Sequence, residues 1–480
     1  MELLSLHFLH PRTGRPSLPL AAAAPSNTRR PQSRTYLLAP PRRTRGAPRL
    51  SVSAVAAEKP RAEEAPPSPS KTEAFDWLDQ WYPIAPVCDL DPRAPHGKVV
   101  LGLSVVAWYD RGAGEWRVFE DACPHRLAPL SQGRIDGKGR LQCAYHGWCF
   151  DGAGACAFIP QAPALGPPVH ENRRACVASY PCVVQNNILW FYPRTEAEHR
   201  DVLRRKRPPY FAEIDDPSYF TTFGMRDVSV GYDVAVDNIF DIAHVPYAHK
   251  GLLPYFRDEE DPGRYAAGGE AAVWFMLVAL IIPVAPGRSR VIWAFPRNAG
   301  VWLHKLIPRW FFHSVTNRVI DSDVCLMHVE ERKFAAAGLE NWHRSCYVPT
   351  SSDGMVVAFR DWFRKHCNHQ VGWGAPQPDH QLPPSSTKDH LLERYWSHVA
   401  QCTSCSAALR SMRLLEVALQ VMSVSVIGSL AVAKGSSLLT SVVQRAVVVT
   451  AAVLCFMASR WLATYIEKNF YFQDFIHSYN

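Results

Sequence analysis

Two short segments of the sequence each offer one thiol and one imidazole to a metal. The first reads Cys123-Pro-His125, and the second, after a gap of 17 residues, reads Cys143-Ala-Tyr-His146. Two thiolates and two neutral imidazoles can hold a 2Fe–2S cluster, whose raised reduction potential suits it to accept electrons and pass them on. A tetrahedral zinc ion is the alternative occupant, but zinc fingers use pairs of Cys and pairs of His, whereas each segment here contributes one of each.

The residues around these four side chains closely resemble the cluster loops of Rieske oxygenases, over residues 121–128, 130–134 and 141–147. The resemblance implies a 2Fe–2S cluster with Cys123 and Cys143 on one iron and His125 and His146 on the other. A Rieske domain without a second metal site would be a plain electron carrier. A second metal motif therefore decides between a carrier and an oxygenase.

That second motif contains two histidines five residues apart and reads Asp237-Asn-Ile-Phe-Asp241-Ile-Ala-His244-Val-Pro-Tyr-Ala-His249. With a carboxylate from elsewhere, His244 and His249 would form the two-His, one-carboxylate set that leaves positions open for dioxygen and substrate. The motif resembles the iron motif of Rieske oxygenases, which implies a mononuclear non-haem Fe²⁺. The family forms ring-shaped trimers, so the resemblance also implies that Asp241 hydrogen-bonds both His244 and His146 of a neighbouring subunit in a homotrimer.

The third iron ligand is expected among the acids of residues 319–331. Asp321 and Asp323 are both candidates by residue type. Related monooxygenases place the acid before a similar apolar and then acidic stretch, and this resemblance favours Asp323. An Asp exposed at a turn or at the start of a helix is the alternative interpretation. The predicted metal ligands are therefore His244, His249 and Asp323.

A third motif, Cys402-Thr-Ser-Cys405, lies just before the C-terminal apolar part of the chain. Two thiols at this spacing can form a disulfide or exchange with a dithiol reductant. The sequence shows no neighbouring partners that would argue for a metal, and most of the 13 cysteines are expected to be small buried hydrophobes. We predict that Cys402 and Cys405 form a reversible regulatory disulfide open to thioredoxin, the alternative being two uninvolved thiols.

The elements that would position these motifs fall into two domains. Residues 75–195 show short strand-like runs at 99–108, 116–119 and 186–192, separated by turns, and predict an all-β Rieske domain. Residues 196–400 show further strand-like runs at 272–284, 290–295 and 319–327, with a helical segment at 233–248. The predicted class is α+β, an all-β domain followed by an antiparallel-sheet catalytic domain with helices.

The C-terminal part, residues 411–480, is predicted to be a membrane anchor that follows a CxxC segment at 401–410. Its stretches 415–433 and 446–464 are nearly uncharged, and about 19 apolar residues suffice to cross a bilayer as a helix. A buried helical hairpin is the alternative. If both stretches cross, both ends of the hairpin lie on the side of the catalytic domains.

The N-terminal part explains the charge of the chain. Residues 1–57 contain nine arginines and one acid, so this segment accounts for the whole net charge of +8. An Arg-rich, Ser-containing, acid-poor leader is typical of an organellar transit peptide, with a basic disordered tail as the alternative and with cleavage expected near residues 53–58. Residues 58–74 are predicted to be a disordered linker. Because the remainder of the 480 residues is nearly neutral, no nucleic-acid partner is expected.

Together, the Rieske motif, the iron motif, the CxxC and the two apolar spans resemble a plant subgroup of Rieske oxygenases. It contains pheophorbide a oxygenase and the Rieske proteins of the inner-envelope translocon, and residues 327–333, 341–353 and 389–407 are most similar to its protochlorophyllide-dependent branch. The resemblance implies a chloroplast enzyme that uses ferredoxin and dioxygen to oxygenate a chlorophyll-type tetrapyrrole. It also implies catalytic domains on the stromal side of the inner envelope or, alternatively, the thylakoid. Contacts with the import translocon, a redox-sensing role in import and a plain Rieske electron carrier are the competing hypotheses.

Overall fold

The computed structural model describes residues 5–9, 74–253, 274–376, 382–432 and 441–479. Strand β1 (Ser5–Leu9), within the predicted leader, pairs antiparallel with a strand at Trp274–Ala285. The rest of the predicted transit peptide and residues 58–73 of the predicted linker lie outside the described residues. Both segments therefore remain predictions.

The N-terminal domain is all-β, as predicted, and is built from three small antiparallel sheets. The sheet orders are β10-β5-β4-β3, β11-β12-β2 and β6-β7-β8-β9. Continuous apolar runs of its central strands, buried on both faces, fill its core, in which Trp108, Phe119 and Trp190 are fully buried. The strands are β2 (Tyr82–Pro86), β3 (His96–Val100), β4 (Leu103–Asp110), β5 (Glu115–Glu120), β6 (Arg134–Ile135), β7 (Leu141–Gln142), β8 (Cys149–Phe150), β9 (Cys156–Phe158), β10 (Ser179–Tyr180), β11 (Cys182–Gln185) and β12 (Ile188–Phe191).

The predicted single strand over 99–108 is two strands, β3 and β4, joined by a tight turn. Leu101 and Gly102 form the turn with φ of 53° and 74°, a left-handed conformation that a continuous strand excludes. Their backbone N–H groups donate to the carbonyls of Pro283 and Val284 in the second domain at 2.8 and 3.0 Å. The turn therefore joins the two domains through main-chain hydrogen bonds.

The second domain centres on a four-stranded antiparallel sheet of order β1-β14-β15-β13. The predicted runs 272–284 and 290–295 correspond to two of its strands. The new strands are β13 (Phe220–Val228), β14 (Trp274–Ala285) and β15 (Arg288–Arg297). The helices before the C-terminal part are α1 (Val202–Arg205), α2 (Ala212–Asp215), α3 (Tyr232–Phe240), α4 (Val245–Ala248), α5 (Val301–Leu306), α6 (Arg309–Ala337), α7 (Trp342–Ser345), α8 (Gly354–Cys367) and α9 (Lys388–Leu391).

The predicted strand over 319–327 is wrong, because this run lies inside the 29-residue helix α6. An apolar, β-branched run of this length fits a strand or a helix equally well until its surroundings are known. Here Val324 and Met327 pack into a cluster with Val228 and Val230 beside the sheet. Val324 and Met327 thus lie on the stripe of a long helix that faces the sheet, whereas Leu326 is exposed.

The predicted helix over 233–248 is also interrupted. Helix α3 ends at Phe240, a 3₁₀ turn covers Ile242–His244, and α4 follows directly. Asp241 has an extended conformation, with φ −89° and ψ 92°, and its carboxylate accepts a hydrogen bond from Ala243 N–H at 2.9 Å. This side-chain cap starts a new turn and redirects the chain between the two helices.

The C-terminal part consists of helices α10 (Thr403–Val432) and α11 (Val442–Ile466). Both are long and apolar enough to cross a membrane, and only 11% of the residues in each apolar window are buried within the chain. The two helices contact each other, with Ser423 Oγ donating to the carbonyl of Ala452 at 2.8 Å. The start of α10 packs beside the end of α11 through Leu409 and Leu462, an arrangement consistent with the predicted hairpin.

Candidate functional site

The two cluster loops have the same main-chain hydrogen-bond pattern. In the first loop, Cys123 N–H donates to Ala128 O, and Leu127 N–H donates to Cys123 O, both at 2.8 Å. In the second loop, Cys143 N–H donates to Trp148 O at 2.9 Å, and Gly147 N–H donates to Cys143 O at 3.1 Å. The fourth residue after each cysteine has a positive φ, 58° for Leu127 and 75° for Gly147. Two similar turns thus present one Cys and one His each.

The four predicted cluster ligands come together at the ends of these loops. Cys123 and Cys143 are both 2% exposed, and the rings of His125 and His146 have their centroids 4.5 Å apart. His125 stacks on Trp148 at 4.8 Å with an interplanar angle of 7°. Its Nδ1 is shielded from solvent and has no hydrogen-bond partner among the described residues. Two buried sulfurs and an uncompensated imidazole nitrogen fit the donor set of a Rieske 2Fe–2S cluster.

The predicted iron ligands also converge, although they come from two distant segments. His244 ends the 3₁₀ turn, His249 follows α4, and Asp323 lies in the middle of α6. Asp323 Oδ2 lies 3.7 Å from His244 Nε2 and 3.5 Å from His249 Nε2, and the three donor atoms lie within 4.8 Å of one another. Two imidazoles and one carboxylate on one side of a small space fit non-haem iron with open positions.

Hydrogen bonds on the far side of each ring orient the two imidazoles. His249 Nδ1–H donates to Ser322 Oγ at 2.7 Å, while the Ser322 hydroxyl donates to Val319 O at 2.6 Å. His244 Nδ1–H donates to the main-chain carbonyl of Asp241. Because Nδ1 carries the proton in both rings, both Nε2 lone pairs face the space beside Asp323.

The electrostatics of the two histidines differ. Burial lowers the pKa of His249 to about 4 despite the nearby Asp323 carboxylate, so its ring is neutral near pH 7. Burial also disfavours the charged form of His244, but the hydrogen bond and charge of Asp323 and the charge of Asp241 outweigh it and raise the pKa of His244. Asp323 thus favours the charged form of both rings, and only at His244 does this outweigh burial. The raised pKa of His244 means that the site favours a positive charge, and a bound metal ion would supply that charge in place of the proton.

Asp321 and Asp323 have different environments. Residues two apart on an α-helix point in nearly opposite directions, so α6 presents Asp323 to the histidines and Asp321 to the opposite side. Asp321 is 1% exposed and pairs with two buried arginines, Arg226 Nη1 at 2.7 Å and Arg394 Nε at 2.8 Å. Its negative charge is therefore already compensated. The geometry supports the expectation that Asp323 completes the iron site.

Asp241 lies beside His244, but its contact differs from the expected one. Its main-chain carbonyl accepts the Nδ1 proton of His244, whereas its carboxylate Oδ2 lies 3.8 Å from that nitrogen and Oδ1 caps the next turn. The expected carboxylate hydrogen bond to His244 is therefore not formed within this chain. The carboxylate is partly exposed, which leaves Oδ2 accessible at the surface.

An apolar cavity of about 150 Å³ borders the three predicted iron ligands. It lies between the sheet and helix α6, and Asn238 and Thr316 provide polar groups apart from the iron-site residues. The volume is below the roughly 300–1,000 Å³ of sites that enclose a drug-sized ligand. The described part of the cavity therefore fits the reacting edge of a flat molecule. Apolar lining comes from Val228, Ala235, Ile239, Ile242, Val245, Leu277, Ala279, Ile281, Val291, Trp293, Phe295, Val319, Ile320 and Met327.

Cys402 and Cys405 lie at the start of α10, and both thiols are free and buried. The reversible disulfide proposed for them remains untested, although burial hides both sulfurs from a dithiol reductant. Two histidines that were not predicted as their partners, His313 and His398, lie directly against the sulfurs. His398 lies only four residues before Cys402, so its spacing was a local signal, whereas His313 is 89 residues before Cys402 and gave none.

Two further residues near the iron ligands had no role assigned from the sequence. Asn238 Nδ2 lies 3.4 Å from His244 Nε2 and borders the cavity. Ser322 orients His249, as described above. Asn238 lies within the iron motif, so its position in the sequence could have indicated that it lies near the iron. Ser322 could not have been identified from the sequence, because only the rotational phase of helix α6 places it beside His249.

Family models match two parts of the chain. A Rieske [2Fe-2S] domain matches residues 80–181, which include all four cluster ligands. A pheophorbide a oxygenase model matches residues 257–341, which include Asp323. The two models thus cover the cluster domain and the helix that carries Asp323, the predicted third iron ligand.

Three curated plant proteins are similar over most of the chain. The chain is 40% identical to the protochlorophyllide-dependent translocon component 52 of Arabidopsis thaliana, over 86% of this chain and 88% of that protein. It is 42% identical to flavonoid 8-hydroxylase 2 of Ocimum basilicum, over 85% and 87%. It is 31% identical to pheophorbide a oxygenase of Arabidopsis thaliana, over 93% and 92%. All three are described as chloroplastic. The chain therefore belongs to the plant Rieske non-haem iron oxygenases of the pheophorbide a oxygenase family, enzymes with a 2Fe–2S cluster and a separate mononuclear iron.

Proposed function

We propose that the protein is a ferredoxin-dependent oxygenase that inserts oxygen from dioxygen into a chlorophyll-type tetrapyrrole of the protochlorophyllide, chlorophyllide or pheophorbide class. The observation that carries this proposal is the apolar cavity that directly borders His244, His249 and Asp323. A flat apolar ring system can pack against the apolar side chains that line the cavity, and only the edge that reacts has to enter the cavity. The names of two relatives, a protochlorophyllide-dependent component and a pheophorbide a oxygenase, support the substrate class.

A flavonoid is the second candidate substrate, for two reasons. The relative with 42% identity is a flavonoid 8-hydroxylase, and a flavonoid has a smaller ring system than a tetrapyrrole. The described cavity of about 150 Å³ suits the smaller molecule better. Both candidates are planar and aromatic, so the same apolar walls would hold either one beside the iron ligands.

When bound, the cluster supplies electrons and the mononuclear iron supplies dioxygen chemistry. The role of the protein is to orient the ligands and to exclude water from the apolar cavity. In a homotrimer, the Asp241 carboxylate of one chain would contact His146 of its neighbour, while the Asp241 carbonyl holds His244. The large exposed apolar side chains of Leu127 and Tyr145, which are 75% and 64% exposed beside the cluster histidines, support such a contact between chains.

The two C-terminal helices support attachment to a chloroplast membrane, because most of their apolar surface is not covered by the chain. The inner envelope is the proposed membrane, with the thylakoid as the alternative and with the catalytic domains on the stromal side. A redox-sensing role in protein import, with contacts to the translocon, would predict bound metals without substrate turnover. Turnover therefore separates this hypothesis from the oxygenase.

The experiment that tests the proposal is incubation of the purified protein with reduced ferredoxin, ¹⁸O₂ and a panel of tetrapyrroles and flavonoids, followed by mass spectrometry. We expect an ¹⁸O-dependent mass increase for a tetrapyrrole that disappears without ferredoxin. His244→Ala should abolish it while the Rieske electron-paramagnetic signal of the reduced cluster persists. His343→Ala, at a partly exposed surface histidine, is the matched control. A mass increase confined to flavonoids would replace the tetrapyrrole proposal, and turnover by His244→Ala would show that the iron site is misplaced.

The proposed role of Asp241 has its own test. Asp241→Ala removes the carboxylate but retains the main-chain carbonyl that orients His244, so both metals should remain bound. The cluster should still be reduced by ferredoxin, while its reoxidation in the presence of substrate and dioxygen should slow by orders of magnitude. Stopped-flow absorbance of the cluster measures this rate. Unchanged reoxidation would refute the bridge between chains.

A further inference from the structure

Four buried side chains from two distant segments, helix α6 and residues 398–405, meet at the start of α10. They are His313 of α6, His398 of the segment before α10, and Cys402 and Cys405, with exposures of 1%, 0%, 2% and 3%. One donor atom from each lies within 4.8 Å of all the others. Cys and His are the usual ligands of structural zinc sites, and two of each make a complete ligand set.

The separations of the donor atoms fit one tetrahedral ion. His313 Nδ1 lies 3.3 Å from Cys405 Sγ and 3.4 Å from Cys402 Sγ, and His398 Nε2 lies 3.3 Å from Cys405 Sγ. In a tetrahedral zinc site, with Zn–S near 2.3 Å and Zn–N near 2.0–2.1 Å, neighbouring N and S atoms are about 3.6 Å apart. Small shifts of the side chains would therefore admit the ion.

Both imidazoles are held in the tautomer that a metal requires. His313 Nε2–H donates to the carbonyl of Phe223 at 2.7 Å, which leaves the Nδ1 lone pair facing the sulfurs. His398 Nδ1–H donates to the carbonyl of Met225 at 2.6 Å, which leaves its Nε2 lone pair facing Cys405. Both carbonyls belong to strand β13. Hydrogen bonds of this kind to the far ring nitrogen are typical of metal-bound histidine.

The charge balance also favours a divalent ion. Two thiolates neutralise one divalent cation, so the occupied site carries no net charge in a region where an uncompensated charge would be costly. Arg309 lies at its edge, with Nη2 3.8 Å from Cys402 Sγ and 2.5 Å from Asp89 Oδ1. Because this guanidinium is paired with its own carboxylate, it adds no net charge.

We propose that His313, His398, Cys402 and Cys405 bind one structural Zn²⁺. Four protein ligands close the coordination shell and leave no position for substrate, which is the property of a structural rather than a catalytic zinc site. The ion would fasten the first turn of α10 to helix α6 and, through the two carbonyls, to strand β13. Helix α6 also carries Asp323, ten residues beyond His313. The zinc site would thus hold the hairpin of α10 and α11 in a fixed position relative to helix α6.

A zinc site at Cys402 and Cys405 is incompatible with the predicted disulfide between them. Sulfurs that bind zinc as thiolates cannot at the same time be bonded to each other. The burial of both sulfurs agrees with ligation and leaves no direct access for a dithiol reductant. Metal content and sulfur coordination therefore decide between the two interpretations.

The test uses the full-length chain, purified in detergent under anaerobic conditions without added zinc. Elemental analysis should find one zinc per chain in addition to the iron of both other sites. Zinc K-edge absorption should show two sulfurs at about 2.3 Å and two nitrogens at about 2.0–2.1 Å. Zinc-free protein, whether its two thiols are free or form a disulfide, would overturn the proposal, as would a zinc shell without sulfur.

Variants connect the metal to these residues. The double variant Cys402→Ser with Cys405→Ser, and separately His313→Gln, should lose zinc while retaining the Rieske signal and the iron content. Cys88→Ser is the matched control, because Cys88 is an exposed thiol that contacts Arg309 beside the site without belonging to it, and its zinc content should stay unchanged. Zinc that persists in the double variant would overturn the assignment. If the variants do not fold, the absorption spectrum of the unmodified chain decides by itself.

Discussion

The cluster domain and the iron site place their ligands in different ways. Each cluster loop closes on itself, since the main chain of Cys123 or Cys143 bonds to residues four and five positions later. The proposed iron ligands instead depend on two elements packed together, because His244 and His249 follow α3 while Asp323 belongs to α6. A ligand set built from local turns depends on local sequence. A set built across a helix interface depends on the rotational phase of that helix and on its packing.

The largest effect is expected from a change to Asp323, the proposed iron ligand on helix α6. Asp323→Ala should remove the mononuclear iron and abolish substrate turnover, because two imidazoles without the carboxylate do not complete the ligand set. The Rieske signal should persist, since the cluster loops do not use α6. Iron content, electron-paramagnetic spectra and turnover measure these effects together. Full iron retention in this variant would mean that another acid provides the third ligand.

Asp321→Asn, two residues earlier on the same helix, should affect folding instead of the metal. The change leaves Arg226 and Arg394 buried without their common carboxylate, and breaking a buried ion pair costs about 3–5 kcal/mol. Denaturant unfolding should report the loss, while the folded fraction keeps its iron. A variant that unfolds normally but loses iron would instead assign the ligand role to Asp321.

Ser322→Ala should have an intermediate effect on the iron site. The change removes the oxygen that accepts the Nδ1 proton of His249 at 2.7 Å, and such contacts to ligating histidines are typically worth 10- to 100-fold in metal affinity. Iron titration of the metal-depleted protein measures this. The matched control is Ser314→Ala, because Ser314 makes the same hydroxyl contact to a carbonyl three residues earlier on α6, and its iron affinity should be unchanged.

Gly147→Ala should have the smallest effect and tests the likeness of the two cluster loops. A Cβ at Gly147 would meet Pro160 Cγ at 3.0 Å in a residue with φ of +75°, and a left-handed conformation costs an ordinary residue about 1–2 kcal/mol. The equivalent residue in the other loop is Leu127, which already has a side chain at φ 58°. Leu127→Gly should therefore leave the loop intact. Thermal unfolding followed through cluster absorbance compares the two variants, and equal stability of both would contradict the steric argument.

The sequence was sufficient for features that depend on residues close together in the chain. The predicted cluster ligands lie in turns that are closed by their own main chain, and the predicted iron ligands His244 and His249 are separated by a single helical turn. The all-β character of the first domain and the presence of two long C-terminal apolar helices also follow from local patterns, although the helices, at 30 and 25 residues, are longer than the predicted apolar stretches. In each case, the physical constraint and the residues that satisfy it lie within a few positions of each other.

The tertiary structure decided what depends on helix phase and on distant packing. Residues 319–327 fit a strand by composition, and in a strand Asp321 and Asp323 would share one face; in helix α6 they lie on opposite faces, so one pairs with arginines and the other meets the histidines. Likewise, no spacing in the sequence connects His313 with Cys402, whereas packing of α6 against the start of α10 brings them into contact. The periodicity of apolar and polar residues within a segment indicates which side chains can share a face. Only the packed fold determines which partner that face contacts.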